Sequence, residues 1–415
     1  MTKTLLATTS LAALFGLAGA ASAQCTIEGE GSVRILANDF QALHAVVSRA
    51  TECASDSVEV TTNETTEHKD IQVAALSTDP AAYTVAVVAN GSLVPLLNEG
   101  LTRPLDDLVA QYGQNLQESQ LIRINGEIMA IAFMANSQML HYRADLLEEN
   151  GIAVPTTYEE LLEASAALRE AGVMETPLYA SFLPGWDLGE EFINMYMGSG
   201  QPFFEDGSAQ VAINNEAGIA ALEMMKAMTE YMGPDMMTYN SNEAQPYWEN
   251  EEVAFMTGWG SRTAAFIDEN GAVPEIAAAT EVVAMPSWGG NGIPATTLWW
   301  DGFAMAKNIS EEDAAASFQA MMYALSPELV ADPEVAGLAA WLVNGYEPQP
   351  AAEGVIANMQ AGAAPYPMTP YMGLLHTALG DNLAEFLQGQ ESAEEALEDV
   401  EAAYTTAATE AGFIQ

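Results

Sequence analysis

Strand-like segments alternate with well-capped helices along most of this chain. Six short runs rich in β-branched residues predict strands, at residues 58–62, 83–89, 128–133, 253–256, 281–285 and 302–306. Helices are predicted where a hydroxyl residue precedes an acidic residue by three positions: Thr157 with Glu160, Ser310 with Asp313, and Ser392 with Glu395. This order favours an α/β protein with largely parallel sheets.

The length and apolar content of the chain allow more than one hydrophobic core. Its 415 residues are 49% hydrophobic, which predicts two or three domains at roughly 100–200 residues each. One predicted helix, residues 216–232, carries Met224, Met225 and Met228 on one face. Methionine at helical spacing is a common filler of apolar cores, so we interpret this face as core rather than as a binding groove.

The N-terminus has the pattern of a secretory signal. Lys3 precedes an apolar run at residues 11–17, and small residues end at Ala23. We expect residues 1–23 to be removed, so that Gln24 becomes the first residue. No later stretch reaches the roughly 20 apolar residues of a transmembrane helix, which predicts a soluble, exported protein.

Two cysteines, Cys25 and Cys53, lie close to the predicted mature N-terminus. A disulfide is expected in an oxidising compartment, although two buried thiols stay an alternative. Lipidation of Cys25 is a further alternative, which Gln24 disfavours because a small residue is expected there. The four histidines are dispersed and no zinc or redox motif occurs, so we predict no metal site and no cofactor.

The chain is strongly acidic. Its formal net charge is −47, which becomes −48 once the signal and its single Lys3 are removed. Such a surface repels nucleic acid and anionic lipid, so neither is expected as a partner. Because the acidic residues are spread along the whole sequence, we interpret them as solvating groups rather than as a site for cations.

Motifs of the common hydrolases and nucleotide-binding proteins are missing from the sequence. It contains no G-x-S-x-G, and no glycine-rich phosphate loop follows a predicted strand. A glycosidase needs only two facing carboxylates, and the chain has 58 acidic residues. A secreted carbohydrate-active enzyme therefore remains an alternative to a protein that only binds its ligand.

All seven tryptophans follow residue 185, and several stand beside glycine or charged residues, as in PGWDLG, TGWGSR and LWWDGF. An indole at the end of a strand offers its face to a ligand while polar neighbours supply hydrogen bonds. This arrangement suits sugars. A core role stays open for each single tryptophan, and an aromatic box around a quaternary ammonium osmolyte is another possible use.

Four segments resemble those of the family 1 extracellular solute-binding proteins, the receptors of ATP-binding-cassette (ABC) sugar importers. The most specific is residues 124–165, with its strand, crossover and P-x-T-Y-E-E-L run; the others are residues 200–228, 246–266 and 366–404. The resemblance implies two α/β lobes of the type II periplasmic binding fold. Lobe one would comprise residues 24–135 plus 282–325, and lobe two residues 136–281 plus 326–415.

The resemblance also implies a function. The protein would bind a neutral sugar, an oligosaccharide or a glycoside in a cleft that closes by hinge bending, and deliver it in the periplasm to an inner-membrane ABC permease. We expect no catalysis and a monomeric protein.

The same resemblance implies which residues face the ligand. Trp259 corresponds to the sugar platform of the family, and Asn136 to a polar residue at the hinge. The other expected contacts are Asn90, Ser92, Trp186, Asp187, Asp39, Phe40, Tyr371 and His376. Arg262 is expected either to bind a ligand oxygen or to pair with Glu252 or Asp268.

The stretch TTLWWDGFAM, residues 296–305, places two tryptophans side by side in a predicted strand. Side chains alternate along a strand, so Trp299 and Asp301 point one way and Trp300 and Gly302 the other. We predict that Trp300 stacks on the ligand and that Trp299 packs in the core. Asp301 would then join Trp300 at the ligand through a twist or bulge at Gly302.

Overall fold

The computed structural model describes residues 25–415, so the predicted signal, residues 1–23, lies outside the described residues. Within the described residues twelve strands are formed: Gly31–Ala37 (β1), Val58–Glu64 (β2), Val85–Ala89 (β3), Leu121–Ile124 (β4), Glu127–Asn136 (β5), Gln138–Arg143 (β6), Leu178–Tyr179 (β7), Phe255–Trp259 (β8), Thr280–Val283 (β9), Thr297–Met305 (β10), Ala340–Trp341 (β11) and Ala364–Pro365 (β12).

The helices of the first half are Gln41–Thr51 (α1), His68–Leu76 (α2), Asn90–Asn98 (α3), Asp106–Tyr112 (α4), Ala144–Asn150 (α5), Tyr158–Glu170 (α6) and Trp186–Met197 (α7). Those of the second half are Glu216–Thr229 (α8), Ala244–Glu249 (α9), Thr263–Phe266 (α10), Pro274–Ala278 (α11), Glu311–Ala324 (α12), Glu328–Ala331 (α13), Pro333–Ala336 (α14), Glu353–Gln360 (α15), Met372–Asn382 (α16), Ala384–Leu387 (α17) and Ala393–Glu410 (α18).

The three predicted helix starts are confirmed. Thr157 and Glu160 form a reciprocal capping box at α6, and Ser392 and Glu395 do the same at α18. The hydroxyl of Ser310 accepts a hydrogen bond from the amide of Asp313 at α12. These local contacts satisfy amide groups that the first turn of a helix leaves without partners, which is why the sequence alone locates them.

Two sheets divide the strands. One follows the order β11-β5-β10-β3-β1-β2, with β4 on β5 and β12 on β10, and the other is β7-β8-β6-β9. We call the parts built on them the first lobe and the second lobe. The expectation of largely parallel sheets is wrong, because β10 returns antiparallel between β3 and β5, and β6 pairs antiparallel with both β8 and β9.

Each lobe has its own apolar core. In the first lobe, residues such as Val33, Phe133 and Phe318 pack on one face of the large sheet, and α3 covers the other face. In the second lobe, Met225 and Met228 are buried in the core, as their spacing predicts. Cys25 and Cys53 form the expected disulfide, which ties the start of the described chain to the end of α1.

The chain passes between the lobes at the junction of β5 and β6, between β9 and β10, and again around α15. One side chain, Asn358 of α15, connects all three. Its amide nitrogen donates to Ser137 Oγ at 2.9 Å and to the carbonyl oxygen of Gln138 at 2.8 Å, while its oxygen accepts from the amide of Met285 at 2.8 Å. Buried hydrogen bonds of this kind fix the relative positions of the connections.

The packing bears on where the lobes divide. The segment 328–343 was assigned to lobe two, yet Leu329, Val330 and Trp341 belong to the core of the first lobe, and β11 pairs with β5. Met285 and Ala295 pack instead in the core of the second lobe. The lobe boundaries stay a prediction, and we propose moving 328–343 to the first lobe.

Among residues 25–415, no helix has the length and apolar character needed to cross a membrane.

Candidate functional site

A cavity of about 350 Å³ lies between the lobes, at the edge where several strands end. Asn38 and Phe40 follow β1, Asn136 closes β5, and Trp259 closes β8. Ligands of α/β proteins commonly bind at the carboxyl ends of strands, and this volume lies within the roughly 300–1,000 Å³ of small-molecule sites. The other lining residues are Thr66, His68, Lys69, Asp70, Ala89, Trp186, Asp187, Ser241, Asn242, Ser261, Arg262, Trp299 and Asp301.

Three tryptophans form a continuous aromatic surface on this cavity. The ring centroid of Trp186 lies 6.1 Å from that of Trp259 and 5.9 Å from that of Trp299, and Trp259 meets Trp299 edge to face at 6.0 Å. Trp259 and Trp299 are only 8% and 7% exposed, whereas Trp186 is 36% exposed. The first two are therefore held rigidly by the fold, as a stacking platform requires.

The two adjacent tryptophans lie on opposite faces of the sheet. Trp299 lines the cavity with Asp301, and Trp300 packs on the opposite face of the sheet with the cluster that includes Leu76 and Val88. The strand alternation was right, and Asp301 faces the cavity on the same side as Trp299. The register of β10 against β5 does shift between Asp301 and Gly302, but Trp300 is not turned inward.

Glu190, behind the platform, fixes the indole of Trp299. Trp299 Nε1 donates to Glu190 Oε1 at 3.0 Å, and the hydroxyl of Thr297 lies 2.7 Å from the same oxygen. Burial raises the pKa of Glu190 to about 8, and the hydrogen bonds from Thr297 and Trp299 oppose that rise. At neutral pH the carboxyl group is therefore largely protonated.

Two further carboxyl groups face the cavity itself. Burial raises the pKa of Asp301 to about 7, against the nearby charges of Lys69 and Arg262. Burial also raises the pKa of Asp187, which lies in the first turn of α7 and receives hydrogen bonds from Ser241. Carboxyl groups with little water around them favour hydrogen bonds to a bound ligand.

Lys69 is a cavity residue that the sequence did not reveal. It is the second residue of α2 in the first lobe, and its ammonium lies 4.0 Å from the ring centroid of Trp186 in the second lobe. The surrounding protein lowers the pKa of Lys69 by desolvation, while Glu190, Asp187 and Asp301 raise it. The ammonium of Lys69 thus lies over the ring of Trp186 and also interacts with these three carboxyl groups.

Arg262 makes a second contact between a cation and an aromatic ring, with the cation on the second lobe and the ring on the first. Its guanidinium carbon lies 5.2 Å from the ring centroid of Phe40, so a cation of the second lobe meets a ring of the first. Its Nη2 donates to Asn242 Oδ1 at 2.6 Å. Neither Glu252 nor Asp268, the partners considered from the sequence, is the one that it contacts.

Of the residues expected at the ligand, seven line this cavity: Trp259, Asp301, Asn136, Trp186, Asp187, Phe40 and Arg262. Their contact with a ligand stays a prediction. Six do not line it: Trp300, Asn90, Ser92, Asp39, Tyr371 and His376.

Asn90 and Ser92 instead have local backbone partners. Asn90 Oδ1 accepts from the amide of Trp300 at 2.8 Å, and Ser92 Oγ accepts from the amide of Ala89 at 2.9 Å at the start of α3. Asp39 pairs with His44 at 2.6 Å on the exposed side of α1. These polar side chains complete the ends of β3 and α1, which sequence position alone does not distinguish from ligand contacts.

Tyr371 and His376 act away from the cavity surface. The hydroxyl of Tyr371 donates to the carbonyl oxygen of Ser208 at 2.7 Å. His376 stacks behind Trp186 with ring centroids 5.1 Å apart, and its Nε2 lies 2.8 Å from the carbonyl oxygen of that residue. Burial lowers the pKa of His376 to about 4, so the neutral ring supports Trp186 from behind. Gly189 allows this approach, since a Cβ there would lie 2.7 Å from the His376 ring.

The remaining tryptophans are structural. Trp248, Trp288 and Trp341 are nearly buried, and each indole donates to a protein oxygen: Thr280 Oγ1, the carbonyl of Met195 and the carbonyl of Val335. Within residues 25–415 no cluster of three metal-binding side chains occurs. The side chains that line the cavity can stack a ligand on indole rings and hydrogen-bond it with carboxyl, amide, hydroxyl and cationic groups.

The fold is shared with solved solute-binding proteins. Maltose-bound T. maritima MalE3 matches with a TM-score of 0.76 at 17% identity, covering 90% of this chain and 99% of that one. A protein from Agrobacterium radiobacter K84 in complex with ribitol matches with 0.78 at 16% identity, covering 91% and 99%. One from Agrobacterium vitis S4 with bound D-mannitol matches with 0.76 at 17% identity, covering 93% and 100%.

A curated relative is described as a probable ABC transporter-binding protein of Deinococcus radiodurans. It is 26% identical over 247 residues, which are 57% of this chain, and the match spans only 56% of the relative's length. The model of the bacterial extracellular solute-binding protein family matches residues 37–328, well over half of the chain. The chain therefore belongs to the bacterial extracellular solute-binding protein family.

Proposed function

We propose that this protein binds a neutral sugar, an oligosaccharide or a glycoside between its lobes and delivers it to an inner-membrane ABC permease. It would be exported to the periplasm through the cleaved signal at residues 1–23 and act there as a monomer, without a cofactor and without converting its ligand. The family to which it belongs supports the role of a solute receptor.

One observation carries the choice of ligand. Trp259 and Trp299, both nearly buried, line the same cavity as Asp301 and Asn136. Apolar C–H faces of a sugar stack on such rings, while its hydroxyls require hydrogen-bonding groups around them. The structural neighbours bound to maltose, ribitol and mannitol add support from proteins of the same fold.

A receptor for a quaternary ammonium osmolyte fits this cavity less well. Such a ligand needs free aromatic faces, and the ammonium of Lys69 already lies over Trp186 at 4.0 Å. The three indole rings also touch one another as a wall, rather than facing one another across a space.

Titration of intrinsic tryptophan fluorescence tests the proposal, because the three cavity tryptophans lie at the site. The panel contains mono-, di- and trisaccharides, polyols, glycine betaine and amino acids, and thermal unfolding is followed in parallel. We expect carbohydrates to shift both signals. Shifts by glycine betaine or an amino acid alone would reject the sugar proposal, and release of a product from chromogenic glycosides would favour the enzyme alternative.

A further inference from the structure

A second, smaller cavity of about 160 Å³ adjoins the first. The two share five lining residues, which are Phe40, Ser241, Asn242, Ser261 and Arg262. We call them the first chamber, of about 350 Å³, and the second chamber. Because the same side chains line both, the two chambers are adjacent and separated by these residues.

Arg262 stands at the boundary between the chambers. Its guanidinium carbon lies 5.2 Å from the ring centroid of Phe40, and its Nη2 donates to Asn242 Oδ1 at 2.6 Å. Phe40 belongs to the first lobe, whereas Arg262 and Asn242 belong to the second. The three side chains therefore form a partition that joins the two lobes across the cleft.

The second chamber differs from the first in its chemistry. Asp70, Asp187 and Asp301 line the first chamber, but the second has no carboxylate in its lining. Its own residues are Gln41, His44, Ala244, Gln245, Ala265 and Phe266. Beside Arg262 and His44, the second chamber offers amides, hydroxyls and two phenyl rings, which suit a further polyhydroxyl unit.

We propose that Arg262 determines the length of the ligand. The first chamber binds the first part of the ligand, and a further unit of an oligosaccharide enters the second chamber only when the guanidinium leaves Phe40 and Asn242. This inference rests on the proposed function. In the unaltered protein a longer ligand must break these contacts in order to bind, and the free energy of breaking them lowers its affinity. Short ligands leave the partition in place and do not have this cost.

The test compares ligands of one to four units from the malto-, cello- and chito-oligosaccharide series by titration calorimetry. Two variants weaken the partition, Arg262→Met and Asn242→Ala. Arg169→Met is the matched control, because the guanidinium of Arg169 also stacks on an aromatic ring, that of Tyr231 at 4.5 Å, far along the chain from the partition. Arg169→Met should leave the preference for ligand length as it is in the unaltered protein.

We expect Arg262→Met to raise the affinity for the longer ligands relative to the one-unit ligand by about tenfold, with Asn242→Ala moving in the same direction. An unchanged ratio of long- to short-ligand affinity, with carbohydrate still bound, would overturn the role of Arg262 and leave the proposed function intact. The same holds if Arg262→Met weakens all lengths equally. Failure of every carbohydrate and polyol to bind the unaltered protein would overturn both proposals.

Discussion

Each lobe forms one wall of the first chamber, and we call the wall of the first lobe the first wall. The two walls contact each other in the same way, but the surroundings of the two contacts differ. Each lobe places one cation on an aromatic ring of the other, Lys69 on Trp186 and Arg262 on Phe40. Lys69 lies among carboxyl groups inside the first chamber, while Arg262 binds an amide at the boundary of the second. The two contacts are alike in kind but differ in their neighbours, and the roles that we propose for them differ accordingly.

The first wall depends most on Trp299, so its removal should have the largest effect. Trp299→Ala should destabilise the protein by about 3–5 kcal/mol, since it deletes a buried indole, and should reduce carbohydrate affinity by about a hundredfold or more. Denaturant unfolding and calorimetry measure the two losses. Trp300→Ala is the matched neighbour: it should lower stability while leaving affinity within about threefold. Equal loss of affinity from both would remove the distinction between the adjacent rings.

The disulfide lies in the first lobe, and removing it measures how much this bond contributes to the stability of the protein. Replacing both Cys25 and Cys53 by Ser should lower the free energy of unfolding by about 3 kcal/mol, because the bond closes a loop of 28 residues. Thermal unfolding of the variant and of the reduced parent protein should agree. A reductant that further destabilises the double variant would show that the loss has another origin.

Lys69→Met asks whether the cation of the first wall recognises the ligand. The substitution keeps the length of the side chain but removes its charge and its donors. Affinity for every sugar that binds should fall by about tenfold, without a change in length preference. Glycine betaine should bind more tightly, since its quaternary ammonium no longer meets the positive charge of Lys69 near Trp186. A variant that changes length preference instead would assign to Lys69 the role proposed for Arg262.

Glu190→Gln should have the smallest effect on ligand affinity, and its main effect should be on how the stability depends on pH. The folded pKa of Glu190 is raised to about 8, so its stabilising contribution is complete below its ordinary pKa and is lost as the pH rises toward 8. The free energy of unfolding of the parent protein should therefore fall as the pH rises, and Glu191 and Asp301, whose pKa values burial also raises, should contribute to that fall. Glu190→Gln should reduce the slope by up to about 1.4 kcal/mol per pH unit. Exposed Glu223→Gln should keep the slope of the parent; if Glu190→Gln also keeps it, Glu190 is not the titrating group.

Local signals predicted the elements well, because capping pairs and strand alternation act over a few residues. Thr157 with Glu160 was identified on this basis, and so was the shared orientation of Trp299 and Asp301. Alternation does not tell which face of a strand meets the cleft, and Trp300, the ring expected at the ligand, lies on the face away from the cavity. The antiparallel insertion of β10 between β3 and β5 is likewise a contact between segments about 200 residues apart.

Lys69 shows why part of the site was missed. No motif surrounds it, and its role arises only when α2 meets Trp186 from the other lobe. A usable signal did exist: ten basic residues follow the signal segment in a chain of 58 acidic ones, and Lys69 comes soon after a predicted strand. Asn38, Thr66, Ser241, Asn242 and Ser261 offer no comparable signal, since similar residues are common in every loop.

The scarcity of lysine makes the cleft chemically addressable. Beyond the signal segment the chain has three lysines, Lys69, Lys226 and Lys307. Lys226 is partly buried and donates to the carbonyl oxygen of Leu387, whereas Lys69 and Lys307 are exposed. An amine-reactive label therefore has two readily accessible lysine side chains as targets, one in the cleft and one outside it. The ratio of their labelling, read by mass spectrometry, would report occupancy of the cleft with an internal standard already built into the chain.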